Sequence, residues 1–223
     1  MALDNIASNQ DIRVLILTGA GDKSFVAGAD INELATFNPL EAKLFSKKGH
    51  QAIHKLQTLS IPVIAAVNGA AVGWGMDMSL MADFRIASEK AKFGELFVKR
   101  GLVADVGGLV RLPKIIGPQR AAELLFTGEI ISAQRALELG IVMSVVPPDD
   151  LLAEARVLAT KIAANPPLAV RYLKEGLRRS YYGEYEEMGN WIAQTLGTLF
   201  QTEDHKEGVA SFLEKREPEF KGK

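Results

Sequence analysis

The chain has 223 residues, 48% apolar and 24% charged, with a formal net charge of -1. That length and apolar content suit one sizeable domain or a core with a helical appendage, and the near-neutral charge argues against a nucleic-acid binder, which needs a basic face or stripe. The sequence contains no cysteine, which removes disulfides, thiolate nucleophiles and cysteine-held metals. It also has no apolar run of about 18 residues that would mark a membrane span.

In chain order, Met1 to Ser8 reads as the tail of a helix, and the polar stretch Met1 to Arg13 shows no signal-peptide core, so a soluble cytoplasmic protein is expected. Asp11 to Thr18 is a short apolar run ending in Gly19-Ala-Gly21, which predicts a buried strand and a turn. Pro39 to Leu59 has helical spacing and carries His50 and His54 at i, i+4. No acidic third ligand follows as in a zinc-protease motif. Two polar residues on an exposed helix face are therefore preferred over a metal pair, and no metal is expected.

Ile61 to Val67 predicts a second strand ending at Asn68-Gly69, and Phe84 to Ser88 and Ile141 to Val146 predict two more. Arg120 to Thr127 and Ser132 to Leu139 read as short helices. Strand and helix alternate as far as Val146, which implies a mostly parallel sheet with crossover helices. After Pro147-Pro148 come four helical stretches without a strand: Asp149 to Ala164, Pro167 to Tyr181, Glu184 to Gln201 and Glu203 to Glu214. The expected organisation is an α/β core over 1–146 and a helical segment over 147–223, the latter packing on the core or on a neighbouring subunit.

The segment Val63 to Asp83 is a strand, then Asn68-Gly-Ala-Ala-Val-Gly-Trp-Gly75, then a helix beginning near Gly75. Its glycines permit a sharp strand-to-helix turn. Free N–H groups and the positive dipole end of the helix then point back at that turn, a setting for an oxyanion. The spacing of Gly69, Gly73 and Gly75 does not match a dinucleotide-binding Gly-x-Gly-x-x-Gly turn; close packing of strand on helix remains the other reading. A phosphate loop at Gly21-Asp-Lys-Ser24 is rejected because the Gly-Lys-Ser order is absent.

Seven segments in register resemble the enoyl-CoA hydratase/isomerase (crotonase) superfamily: Phe25-Val-Ala-Gly-Ala-Asp-Ile31, Pro62 to Gly69, Gly73-Trp-Gly75, Lys92-Phe-Gly94, Leu112 to Gly117, Leu125-Phe-Thr-Gly128 and Glu207 to Arg216. The resemblance implies an α/β crotonase fold of repeated ββα units with a C-terminal helical trimerisation segment. It also implies a hairpin and the start of the first helix ahead of Met1. The expected partners are an acyl-CoA thioester and further copies of the chain, as a trimer or a dimer of trimers, without nucleic acid or membrane. No cofactor is implied beyond the coenzyme A carried by the substrate.

The backbone N–H groups of Ala29 and Trp74 would form the oxyanion hole. Most members carry glycine at the Trp74 position, so its indole either walls the acyl pocket or packs into the core. Val26, Ala27, Gly28 and Asp30 would follow the adenine. Ile31, Gly73 and Phe97 complete the substrate set on the core, and Phe212 and Lys215 reach the coenzyme A of a neighbouring subunit.

The family's hydratases use two glutamates. The first matches Asp77. The second falls at Phe97, whose phenyl ring cannot exchange a proton. Asp105, in Gly101 to Gly108, matches the aspartate of isomerase-type members. The resemblance therefore implies an enoyl-CoA isomerase in which Asp105 shuttles the proton and Asp77 assists, or else complements the dipole of its helix. A hydratase using Asp77 and Asp105, and a non-catalytic acyl-CoA-binding scaffold, are the alternatives.

Overall fold

The computed structural model describes residues 2–181 and 183–223. In chain order the elements are α1 (Ala2–Ser8), β1 (Leu15–Thr18), β2 (Ser24–Val26), α2 (Ile31–Leu34), α3 (Pro39–Gln57), β3 (Val63–Val67), β4 (Ala70–Val72), α4 (Trp74–Met81), β5 (Phe84–Ser88) and β6 (Lys92–Gly94). A 3-10 turn (Leu96–Arg100) leads to α5 (Gly108–Ile116), α6 (Pro118–Thr127), β7 (Ile131–Ser132), α7 (Ala133–Glu138) and β8 (Ser144–Val146). A second 3-10 turn (Pro148–Asp150) opens the helical run α8 (Leu151–Ala163), α9 (Pro167–Ser180), α10 (Tyr185–Leu199) and α11 (Glu203–Glu214). Among the described residues, no helix is long and apolar enough to cross a membrane.

The strands form two four-stranded sheets, ordered β1-β3-β5-β8 and β2-β4-β6-β7. The pairs β3–β5, β5–β8, β2–β4 and β4–β6 are parallel, and β6–β7 is antiparallel. The sequence pattern predicts a single mostly parallel sheet. The second sheet escapes it because its strands are only two or three residues long, too short to show a period. The central strand β3 is Val-Ile-Ala-Ala-Val, buried at every position, as a parallel strand covered on both faces requires. The strand expected over 141–146 is shorter, since Ile141 and Val142 donate to the carbonyl of Ala136 and close a turn after α7; pairing with β5 starts at Ser144.

Two compact units result, one of Ile16–Leu59 and Val63–Arg156, the other of Met1–Leu15, Ser60–Pro62 and Val157–Lys223. In the second, Arg13 donates to the carbonyls of Ala163 and Phe220, both at 2.8 Å. Asp204, buried at the start of α11, accepts from the N–H groups of Lys221 and Gly222 at 2.6 and 2.8 Å. The terminal segment is thereby held against the helix that precedes it.

In the first unit, α3 begins with a capping box: the Asn38 side chain accepts from Leu40 and Glu41, while Glu41 accepts from the Asn38 N–H. Asn68, at the end of β3, ties together the turn after β1. Its Oδ1 accepts from Gly19 N at 3.1 Å, and its Nδ2 donates to the carbonyl of Gly21 at 2.8 Å and, more weakly, to those of Gly19 and Ser24. Replacing Asn68 with alanine strands these backbone groups. The expected loss is about 2 kcal/mol of unfolding free energy, measured by urea denaturation of the two proteins.

Candidate active site

Between β4 and α4 the chain turns on Gly73, whose φ of 54° is a left-handed conformation open to glycine. Trp74 is the first residue of α4, so its N–H has no acceptor within the helix. Gly75 follows, and a Cβ there would collide with the carbonyl of Val26 in β2. This close approach sets the loop 27–30 beside the start of α4. Asp30 caps α2 by accepting from Asn32 N at 2.8 Å, and Ala29 lies in the bend before it, outside any strand or helix.

A cavity of about 530 Å³ opens at this turn. Ala27, Gly28, Ala29, Ile31, Gly73, Trp74, Phe97 and Asp105 all line it, so most of the residues expected from the sequence meet at one place. Among the described residues, Asp105 is the one carboxylate on its wall, and Arg100 adds a cation. Val26 lies in β2 with its carbonyl against Gly75. Phe212 and Lys215 belong to the helical unit. There Phe212 is 82% exposed, and Lys215 closes α11 in a left-handed conformation.

The indole of Trp74 both lines the cavity and packs. It stacks on Phe45 of α3 with ring centroids 4.7 Å apart and planes 15° from parallel, and Phe45 in turn tilts against Phe37 at 5.2 Å. The far rim of the indole occupies the space at Gly49, where a Cβ would lie 2.6 Å from the ring.

Asp105 precedes α5 and is held from α3. Ser46 Oγ donates to its Oδ1 at 2.7 Å. His50 Nε2 lies 2.9 Å from its backbone carbonyl and 3.4 Å from Oδ1. Because a carbonyl only accepts, that nitrogen carries the proton. His50 is therefore more than an exposed polar residue of α3. Ser46 and His50 stand one helical turn apart on α3, so both reach Asp105 from the same side of that helix.

Asp77, expected to assist the chemistry, is fully buried and lies outside the cavity lining. Its Oδ2 accepts from Val106 N at 3.2 Å, and Gly108 N also donates to the side chain. Glu95, which the sequence reading passes over, is 1% exposed. Asp77 Oδ1 and Glu95 Oε1 lie 2.5 and 2.6 Å from where a Cβ on Gly108 would stand, so the two carboxyls face one small space. Among the described residues, Asp77 Oδ1 and both Glu95 oxygens have no hydrogen-bond partner. Burial, and then the charge of Asp77, push the Glu95 carboxyl up to about 9. Asp77 is raised to about 7, chiefly by burial, against the lowering effect of its two backbone donors. Glu95 therefore holds its proton at neutrality, which turns one of the stranded acceptors into a donor.

Comparison with known proteins identifies the family. The family described as enoyl-CoA hydratase/isomerase matches residues 1–223, and the chain belongs to it. A crotonyl-CoA hydratase of Syntrophomonas wolfei is 40% identical over 216 residues, covering 96% of this chain and 83% of that protein. A carnitinyl-CoA dehydratase of Salmonella arizonae is 40% identical over 215 residues, covering 95% and 82%. The crystal structure of an enoyl-CoA hydratase from Bacillus anthracis matches with a TM-score of 0.96 at 40% identity, covering all of this chain and 86% of that one. The fold is the α/β crotonase fold.

The buried pair has a consequence for stability. Unfolded, Glu95 ionises near its ordinary 4.5; folded, it keeps its proton to about 9. The native state therefore binds the extra proton across that window, and stability falls as pH rises through it. The melting temperature is expected to drop from pH 6 to pH 9, and Glu95→Gln, which has no proton to lose, to flatten that slope in a calorimetric pH series.

Proposed function

We propose that this chain is an enoyl-CoA isomerase that shifts a double bond along the acyl chain of a coenzyme A thioester. The Ala29 and Trp74 N–H groups hold the thioester oxygen, and Asp105 carries the proton from one carbon to another. The observation that carries this reading is the placing of the carboxylates: Asp105 stands on the cavity wall, while Asp77 and Glu95 are buried outside it. Withdrawing an α- or γ-proton from an enoyl thioester places negative charge on the carbonyl oxygen. Fixed N–H donors stabilise that charge, each worth about 3 to 4 kcal/mol of barrier. A single base then suffices, since the proton it takes is the proton it returns. Phe97 offers no second acid or base, and with Ile31, Leu34 and Phe37 it makes an apolar wall suited to an acyl chain. No cofactor beyond the coenzyme A of the substrate enters this scheme.

Hydration of a 2-enoyl-CoA is the second reading, favoured by relatives named crotonyl-CoA hydratase and short-chain-enoyl-CoA hydratase. It needs two carboxylates facing one water, and Asp77 lies outside the cavity lining. We also extend to this chain the family's trimer or dimer of trimers, in which Phe212 and Lys215 would serve a neighbouring copy; sedimentation of the pure protein tests it.

With a 3-enoyl-CoA, conjugation to the 2-enoyl thioester is read from its ultraviolet absorbance. Asp105→Asn is expected to lower kcat about 10²- to 10⁴-fold; a variant as fast as wild type rejects the role of Asp105. Faster hydration of 2-enoyl-CoA than isomerisation of 3-enoyl-CoA by the wild type would favour the second reading. Trp74→Ala keeps the backbone N–H and removes the indole. It is expected to cost about 3 kcal/mol of stability and to improve the relative kcat/KM for longer or branched acyl groups, followed over a series of chain lengths.

A further inference from the structure

We propose that Ser46 and His50 are positioning residues for Asp105, aiming one oxygen of its carboxylate into the cavity. The inference rests on the reading of Asp105 as the base. Asp105 lies in the irregular segment between the 3-10 turn Leu96–Arg100 and α5, where no ladder of backbone bonds fixes its side chain. What fixes it comes from α3, a capped helix of 19 residues.

Ser46 Oγ donates to Oδ1 at 2.7 Å. The protonated Nε2 of His50 donates to the Asp105 carbonyl at 2.9 Å and stands 3.4 Å from the same Oδ1. The two donors therefore act on different parts of the residue: His50 pins the main chain, and Ser46 pins the side-chain torsion. Both side-chain approaches fall on Oδ1. That leaves Oδ2 as the oxygen that exchanges a proton with the acyl chain. Ser46 and Asp105 both line the cavity, so this hydrogen bond lies at the wall against which the acyl group would rest. Small errors in the placing of a catalytic group cost rate far more than affinity, which predicts the signature of such a pair: a fall in kcat with little change in KM.

The test uses the full-length protein with a 3-enoyl-CoA. Ser46→Ala is expected to lower kcat about 10- to 100-fold with KM within about twofold, while Ser46→Thr, which keeps the hydroxyl, recovers most of the rate. His50→Gln, whose amide can still donate to the carbonyl, is expected to exceed His50→Ala in kcat. In an Asp105→Asn background, Ser46→Ala is expected to add little further loss, because residues acting as one unit are not additive.

If Asp105→Asn abolishes turnover while Ser46→Ala and His50→Ala both run at the wild-type rate, the positioning role is overturned and the base assignment stands. An Asp105→Asn variant as active as wild type overturns the base assignment instead. A fall in kcat for Ser46→Ala that Ser46→Thr does not recover, accompanied by an equal fall in melting temperature, shows a structural hydroxyl only and also rejects the proposal.

Discussion

The site depends on one close approach, the backbone of Gly75 against the carbonyl of Val26. Any side chain at position 75 would push α4 away from β2 and separate the loop carrying Ala29 from the turn carrying Trp74. The sheets make this approach possible. β4 is paired in parallel with β2 and β6, which fixes the exit of the chain at Gly73, and the left-handed Gly73 then swings it into a helix. Stabilising an oxyanion demands donors that do not have to be ordered during the reaction. Here a steric constraint in the backbone fixes where the two candidate N–H groups stand, with no side chain involved.

Behind that turn the molecule tolerates an expensive arrangement. Asp77 and Glu95 are buried around the bare Cα of Gly108, with three of their oxygens unpartnered among the described residues. An ionised pair in that position would face a large desolvation cost; holding a proton on Glu95 relieves it. The charge of Asp105 also raises Asp77, though it is the smallest of the influences acting on it. The proposed base and the buried pair are thus electrostatic neighbours, yet only Asp105 reaches the cavity wall.

Much of this was legible in the residues. The glycine spacing of Asn68 to Gly75 marked the turn, and the long patterns of α3 and of the C-terminal helices marked their elements. Ala29, Trp74, Phe97 and Asp105 were named from register with the family, and they meet in one cavity. What stayed hidden were contacts between segments distant in the chain. Ser46 and His50 meet Asp105 across more than fifty residues; in the sequence His50 stood out only beside His54, as a polar pair on one helix, and Ser46 not at all. Asp77 looked identical in sequence whether it faced the cavity or lay behind it. Glu95 passed unremarked because a charged residue after a short strand is ordinarily exposed.

The stacking of Trp74 on Phe45 places α3 at the junction of two functions that enzymes often keep apart. The helix face that forms the aromatic wall also carries Ser46 and His50. A guest too bulky for the cavity cannot displace the indole without levering against Phe45 and Gly49, and so against the helix that aims the carboxylate. On the proposed reading of Asp105 as the base, size discrimination is then exerted through turnover as well as occupancy: an ill-fitting thioester is accommodated at the expense of the alignment that would convert it.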